Sequence, residues 1–193
     1  MNFQGTIYIS PQYVKSDYLS LNLTPYSSED DWNKATLIFR DRIACRILNQ
    51  INALLKDVRN NSFAIMALNC LLIETLLQFR DGKDETSTQN TIQYSNFLSQ
   101  EFPDVFTYQS ARAFYRGIRC GILHSAQTKE RTRLTSDESY IINYNNGVLE
   151  VSVKCFSHRL QQYFEDYIVK VSNVSETVIR ANFIAKMDFI CNR

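Results

Sequence analysis

From Phe63 to Arg80 the chain reads FAIMALNCLLIETLLQFR, apolar on almost every side of a helix, with Glu74 as its one carboxylate. A helix that is hydrophobic all round has to be surrounded by other elements. This stretch therefore predicts a central helix, with Asn60 or Asn61 placed to cap its start and Asp81-Gly82 to end it. A carboxylate in such a run either pairs with a cation or rides a thin wet stripe with Gln78. Asn69 poses the same question more mildly, because a neutral amide can simply satisfy backbone groups.

The remaining elements can be read around that helix. Residues 1–27 alternate weakly, carry Pro11 and Pro25 and hold a candidate short strand at Thr6–Ile9, so they are expected to form an arm packed on a helical domain spanning 28–193. Ser27 and Ser28 followed by Glu29, Asp30 and Asp31 are a helix-start signal, since capping oxygens and negative charge both satisfy first-turn amides. A long helix should follow, with Ala44, Ile47, Leu48, Ile51, Leu54, Leu55 and Val58 on its apolar stripe. TIQYSNFLSQEF reads as a shorter helix stopped by Pro103, and another helix is expected from about Tyr108 to Leu123. SYIINY and VLEVSV flank Asn145-Asn146-Gly147, which predicts a two-stranded ribbon. Two helices close the chain, one bearing Phe156, Leu160, Phe164 and Ile168, the other capped by Asn173 or Ser175 and bearing Ile179, Phe183, Met187 and Ile190. The fold class is mainly α.

Composition narrows the function classes. Five well-separated cysteines without a CxxC, and only two histidines, His124 and His158, make a poor donor set for the usual zinc sites, so no metal and no cofactor are expected. No segment is read as apolar enough to span a bilayer, and the opening MNFQGTIYISPQYVK lacks the pattern of a secretory leader. The expectation is a cytoplasmic protein with no membrane partner. Net charge is only +1, yet Arg112, Arg116, Arg119, Lys129, Arg131 and Arg133 crowd into one stretch against the single acid Glu130. A polyanion would bind there if anywhere.

Within that stretch lies RGIRCGILHSAQTK. On an ideal helix Arg119 and His124 diverge by about 140°, bracketing a sector with Arg116, Cys120 and Leu123 while Phe114, Ile118 and Ile122 face the core. Gly117 and Gly121 imply either the close approach of another element or a fraying end near His124. An arginine and a histidine suit RNA cleavage through the RNA's own 2′-hydroxyl, the guanidinium holding the phosphate and the imidazole moving protons. The plain alternative is a solvated Arg119 and a His124 that serves the helix dipole. Gln127, Thr128 and Lys129 can contact phosphate or sugar, or form an ordinary polar loop. His158, beside Arg159 on a late helix, reads as a surface residue.

Placed at the end of a helix in an all-helical domain, RGIRCGILHSAQTK resembles the Rx4-6H motif of the HEPN superfamily, the higher-eukaryote and prokaryote nucleotide-binding domains. The resemblance covers roughly residues 30 to 190. It implies a HEPN-like helical bundle with a small β-hairpin after the motif helix. It also implies a metal-independent endoribonuclease acting as a homodimer through the motif helix, in a bacterial toxin–antitoxin or phage-defence setting with a possible antitoxin or defence partner. Arg119 would take the family's phosphate-handling role and His124 that of the catalytic histidine. Arg116, Gln127, Thr128 and Lys129 would hold RNA, and Glu74, Asn69 and Cys120 would support the site. The family often carries a polar residue directly after the arginine, where this chain has Cys120. Family branches that bind a nucleotide or a protein without cutting provide the alternative reading.

Overall fold

The computed structural model of the chain describes residues 7–85 and 90–192. It is mainly helical with one small sheet. Contacts divide it into two compact units, the first comprising residues 7–50, 78–85 and 164–192, the second residues 51–77 and 90–163.

The first unit gathers around aromatic rings. After the short helix α1 (Lys15–Leu19), Ser28 caps α2 (Glu29–Ile43) by accepting from the Asp31 amide, as its sequence predicts. The expected strand near Thr6–Ile9 reduces to a single bridge between Tyr8 and Val14, with Thr6 outside the described residues. In α2, Trp32, Ile38 and Phe39 are fully buried. The Phe39 ring stands 4.3 Å from Phe79 and 5.4 Å from Phe183. A π-helical turn (Ala44–Leu48) follows, then α3 (Asn49–Leu54), whose Asn49–Gln50 start is the last part of this stretch in the unit.

The last helix corrects its sequence reading twice. Asn173 accepts from the Ser175 amide and so shapes the turn before α9 (Thr177–Asn192), while the first helical bond goes to the Glu176 carbonyl. The buried residues are Arg180, Phe183, Lys186, Met187 and Cys191, while Ile179 and Ile190 of the expected stripe are only half-buried. A charged residue holds the leading core position because its charge is satisfied internally. Arg180 donates from Nε to the Val171 carbonyl (3.0 Å), and from its terminal nitrogens to Ser172 (2.7 Å) and Pro25 (3.0 Å). Its guanidinium carbon lies 4.5 Å from the centre of the Trp32 ring.

In the second unit a 3-10 turn (Leu55–Asp57) leads into α4 (Val58–Asp81) without the break expected at Asn60 or Asn61. Asn61 instead donates to the Leu54 carbonyl, and Asp57 accepts from the Asn60 amide, so both asparagines serve a continuing helix. Within the helical run Glu29–Asp81 an 18-residue window reaches a mean hydropathy of 1.6, enough by length and composition to cross a bilayer. That corrects the sequence expectation; 50% of the window is buried inside the protein.

Next come α5 (Asn90–Glu101) and α6 (Tyr108–Ala113), the latter capped by Thr107. The predicted straight motif helix is interrupted by a π turn (Phe114–Arg119) before α7 (Cys120–Ser125). The hairpin is present as β2 (Ile142–Asn145) and β3 (Val148–Ser152), its turn made by Asn146 and Gly147 at φ 50° and 73°. A third strand was not foreseen: β1 (Thr132–Thr135) pairs parallel to β3, Thr132 opposite Leu149. Then α8 (Val153–Ser172) brings Phe156 within 5.1 Å of the Phe114 ring.

Replacing Arg180 by methionine keeps much of its volume but strands three carbonyl groups. Hydrogen bonds to a charged group contribute about 1.5–3 kcal/mol each, so the substitution should cost about 3 kcal/mol or more in urea denaturation. A loss below about 1 kcal/mol would show that these bonds do not organise the first unit.

Candidate functional site

The motif is built by the chain folding back on its own helix. Ala126, left-handed at φ 51°, ends α7, and its amide reaches the carbonyls of Gly121 and Ile122. The following loop returns along the helix, with the Lys129 amide 2.8 Å from the Gly117 carbonyl and the Thr132 hydroxyl 2.6 Å from the Lys129 carbonyl. A Cβ on Gly121 would lie 2.4 Å from the Gln127 carbonyl oxygen, and one on Gly117 would lie 2.2 Å from the Thr132 methyl. The close approach expected at both glycines is therefore made by residues 127–132 of the same chain, and these faces are not left open for a second copy.

This folding distributes the predicted residues. Arg116, His124 and Gln127 are exposed, Thr128 and Lys129 are half-buried, and Cys120 is half-buried at the start of α7. Phe114 and Ile118 are fully buried and Ile122 nearly so, which is the core stripe the sequence predicts. Arg112, Arg116 and Arg131 have no carboxylate partner among the described residues, while Arg133 lies 3.6 Å from Glu150. His158 is exposed, and its neighbour Arg159 pairs with Asp104 at 3.2 Å.

Arg119 is brought together with Glu74. Its Nη2 donates to Glu74 Oε2 at 2.9 Å, the two side chains only 14% and 20% exposed. The acid inside the apolar run of α4 thus has the cationic partner that its burial demands. Burial alone would lower the Arg119 pKa, but the Glu74 hydrogen bond and charge outweigh it and leave the guanidinium raised. Arg119 Nε is buried and has no acceptor among the described residues.

Beneath this guanidinium lies a stack that the sequence reading did not single out. The Arg119 guanidinium carbon is 5.5 Å from the centre of the Tyr115 ring, which in turn lies 5.2 Å from the Tyr94 ring of α5. The buried Tyr94 hydroxyl lies against the Cys70 thiol, and burial pushes that thiol up to about 12. Four-residue spacing of Tyr115 and Arg119 was visible in the sequence, but the π turn that sets their relation was not.

Asn69 belongs to a different network. Its Nδ2 donates to Ser157 Oγ at 2.7 Å, and the Ser157 hydroxyl donates in turn to the Val153 carbonyl of α8. Asn69 Oδ1 is buried without a partner. Among the described residues no three His, Cys, Asp or Glu side chains gather as metal ligands.

Comparison with protein-family models, with curated proteins and with solved structures finds no match to this chain.

The pair can be measured directly. Glu74→Ala leaves a largely buried cation unpaired, and should destabilise the protein by about 2 kcal/mol, less than the 3–5 kcal/mol of a fully buried pair because both side chains retain some solvent. Glu74→Ala combined with Arg119→Met should cost less than the sum of the single losses in a denaturant double-mutant cycle. Strict additivity would show that the two charges do not interact.

Proposed function

We propose that the chain is a metal-independent endoribonuclease of HEPN type, acting in the cytoplasm in a toxin or phage-defence setting. RNA is cut by its own 2′-hydroxyl: the 2′ oxygen bonds to phosphorus, the bond to the 5′ oxygen breaks, and a 2′,3′-cyclic phosphate remains. His124 takes the proton from the attacking hydroxyl, and Arg119 holds the phosphate oxygens as charge grows on them. The proton that the leaving 5′ oxygen needs comes from a second acid, for which the motif of a partner copy is the source.

The observation that carries this reading is the state of Arg119. Its Nη2 is tethered by Glu74, while Nε is a buried donor without an acceptor among the described residues. An unmet buried donor costs about 1–3 kcal/mol, and an anionic oxygen relieves that cost once the side chain turns Nε out of its buried position. The exposed Arg112, Arg116 and Arg131, which have no carboxylate partner among the described residues, give a polyanion further points of attachment, with Gln127, Thr128 and Lys129 in the adjoining loop. An alternative, a HEPN-type module that binds a nucleotide or a protein without cutting, draws support from the same tether. An arginine already engaged by an internal carboxylate has less freedom to follow a moving charge.

Incubation of the pure protein with labelled RNA in EDTA separates the two readings. Cleavage should persist, give 2′,3′-cyclic phosphate ends and spare a substrate with 2′-deoxy at the scissile position. His124→Ala should abolish cutting with a change in stability under about 0.5 kcal/mol, because the side chain is exposed at a helix end. Metal dependence or equal cutting of DNA would remove the mechanism, and tight RNA binding without cutting would favour the module.

The same reading includes a homodimer through the motif helix. One histidine and one arginine make a sparse site, and a second copy completes it. With the glycine faces already covered, the surface left for a mate is the side of Cys120 and Leu123, the latter 45% exposed. A short thiol crosslinker should join two copies through Cys120, and Cys120→Ser should abolish the product on a non-reducing gel. Light scattering that gives a strict monomer at micromolar concentration would rule the dimer out.

A further inference from the structure

We infer that Tyr115 is a positioning residue: its ring is the platform that fixes the plane of the Arg119 guanidinium, so that the nitrogens Glu74 does not hold meet the phosphate at a set angle. The inference rests on the nuclease reading and adds a residue to it. Glu74 holds Arg119 through one hydrogen bond to Nη2, and a planar group held at a single nitrogen can still swivel about that bond. A second constraint is needed, and the contact of the guanidinium with the Tyr115 ring face at 5.5 Å provides it.

The platform is itself fixed. Tyr115 is 7% exposed, and its ring packs at 59° against Tyr94, which is 1% exposed. The π turn supplies the alignment: the Cys120 amide bonds the Tyr115 carbonyl five residues back, and in this wider turn Arg119 comes round over Tyr115. Burial first, and then neighbouring Cys120, raise the Tyr115 pKa, so the phenol stays neutral over the pH range of an RNase assay. The cation therefore rests on a neutral ring, and among the described residues Glu74 is the carboxylate that pairs with Arg119.

The test compares ring and ringless side chains at position 115 using labelled RNA, with His124→Ala as the control for the nuclease reading itself. Tyr115→Phe keeps the ring face and should stay within threefold of wild type in both kcat and KM. Tyr115→Met removes it and should lower kcat at least tenfold while KM moves less than threefold, because the phosphate is still bound but held at the wrong angle. In an Arg119→Ala background Tyr115→Met should cause no further loss.

Should the methionine variant unfold, fluorinated phenylalanines placed at position 115 retain the size of the ring while draining electron density from its face. Activity should then fall stepwise with each added fluorine. A folded Tyr115→Met variant as active as wild type, or a fluorine series without a trend, overturns the role of Tyr115 and leaves the nuclease reading intact. Wild-type protein that leaves RNA uncut, or a His124→Ala variant that cuts normally, overturns the nuclease reading and this inference with it.

Discussion

A guanidinium withdrawn from water needs acceptors within reach, and the site is arranged around the carboxylate that Glu74 provides to Arg119. Glu74 is carried on α4, whose buried neighbours Ile73, Leu76 and Leu77 fix where the carboxylate can go. Arg119 comes from a segment 45 residues later in the chain. Their meeting therefore constrains the second unit on two levels. It sets the register of α4 against the motif segment, and it decides which edge of the guanidinium remains unspent. With Nη2 committed, the orientation of every other nitrogen follows from the plane in which the group lies.

Local departures from regular helix do the remaining work. An α-helical turn from Phe114 to Arg119 would carry the later residues around the axis at the ordinary pitch, whereas the wider π turn shifts everything after it relative to the buried stripe before it. Phe114, Ile118 and Ile122 keep their places in the core, and Arg119 faces α4. Such turns are held in place by surrounding packing, here by Tyr94, Phe106 and Phe156 against Phe114. The short loop after the motif is equally specific, because it lies against two residues that have no side chain.

Much of this was legible in the residues. The helix end at Asp81-Gly82, the Ser28 cap, the stop at Pro103 and the hairpin turn at Asn146-Gly147 each rest on a local rule of backbone chemistry, and the structure has them all, whereas the helix expected to be surrounded on every side leaves Phe63 and Leu71 exposed. The pairing of Glu74 with Arg119 was one of two open readings, since periodicity says that a carboxylate is unusual there but not where its cation lies. What escaped the sequence was non-local. Strand β1 owes its existence to a partner 17 residues on, Arg180 looks like a surface residue until three carbonyls surround it, and the π turns leave no signature in residue type. The close approach at Gly117 and Gly121 was one of two open readings and its partner was not foreseen, because a missing Cβ permits a neighbour without saying which.

The parallel pairing of β1 with β3 bears on how the unit acquires its order. A hairpin closes from its own two-residue turn, so β2 and β3 meet after the loss of very little chain entropy. A parallel pair has no such turn, and β1 must wait for an edge of β3 to exist before it can be recruited. The loop lying along Gly117 and Gly121 is tied to β1 through Thr132, and so it settles only when that strand docks. The ground around the motif is thus among the last parts of its unit to become native and, by microscopic reversibility, among the first to open. Slow hydrogen exchange should mark the amides of α4, with the 127–132 segment exchanging earlier, so that a protease or a binding partner would find its foothold beside the motif and not in the helical core.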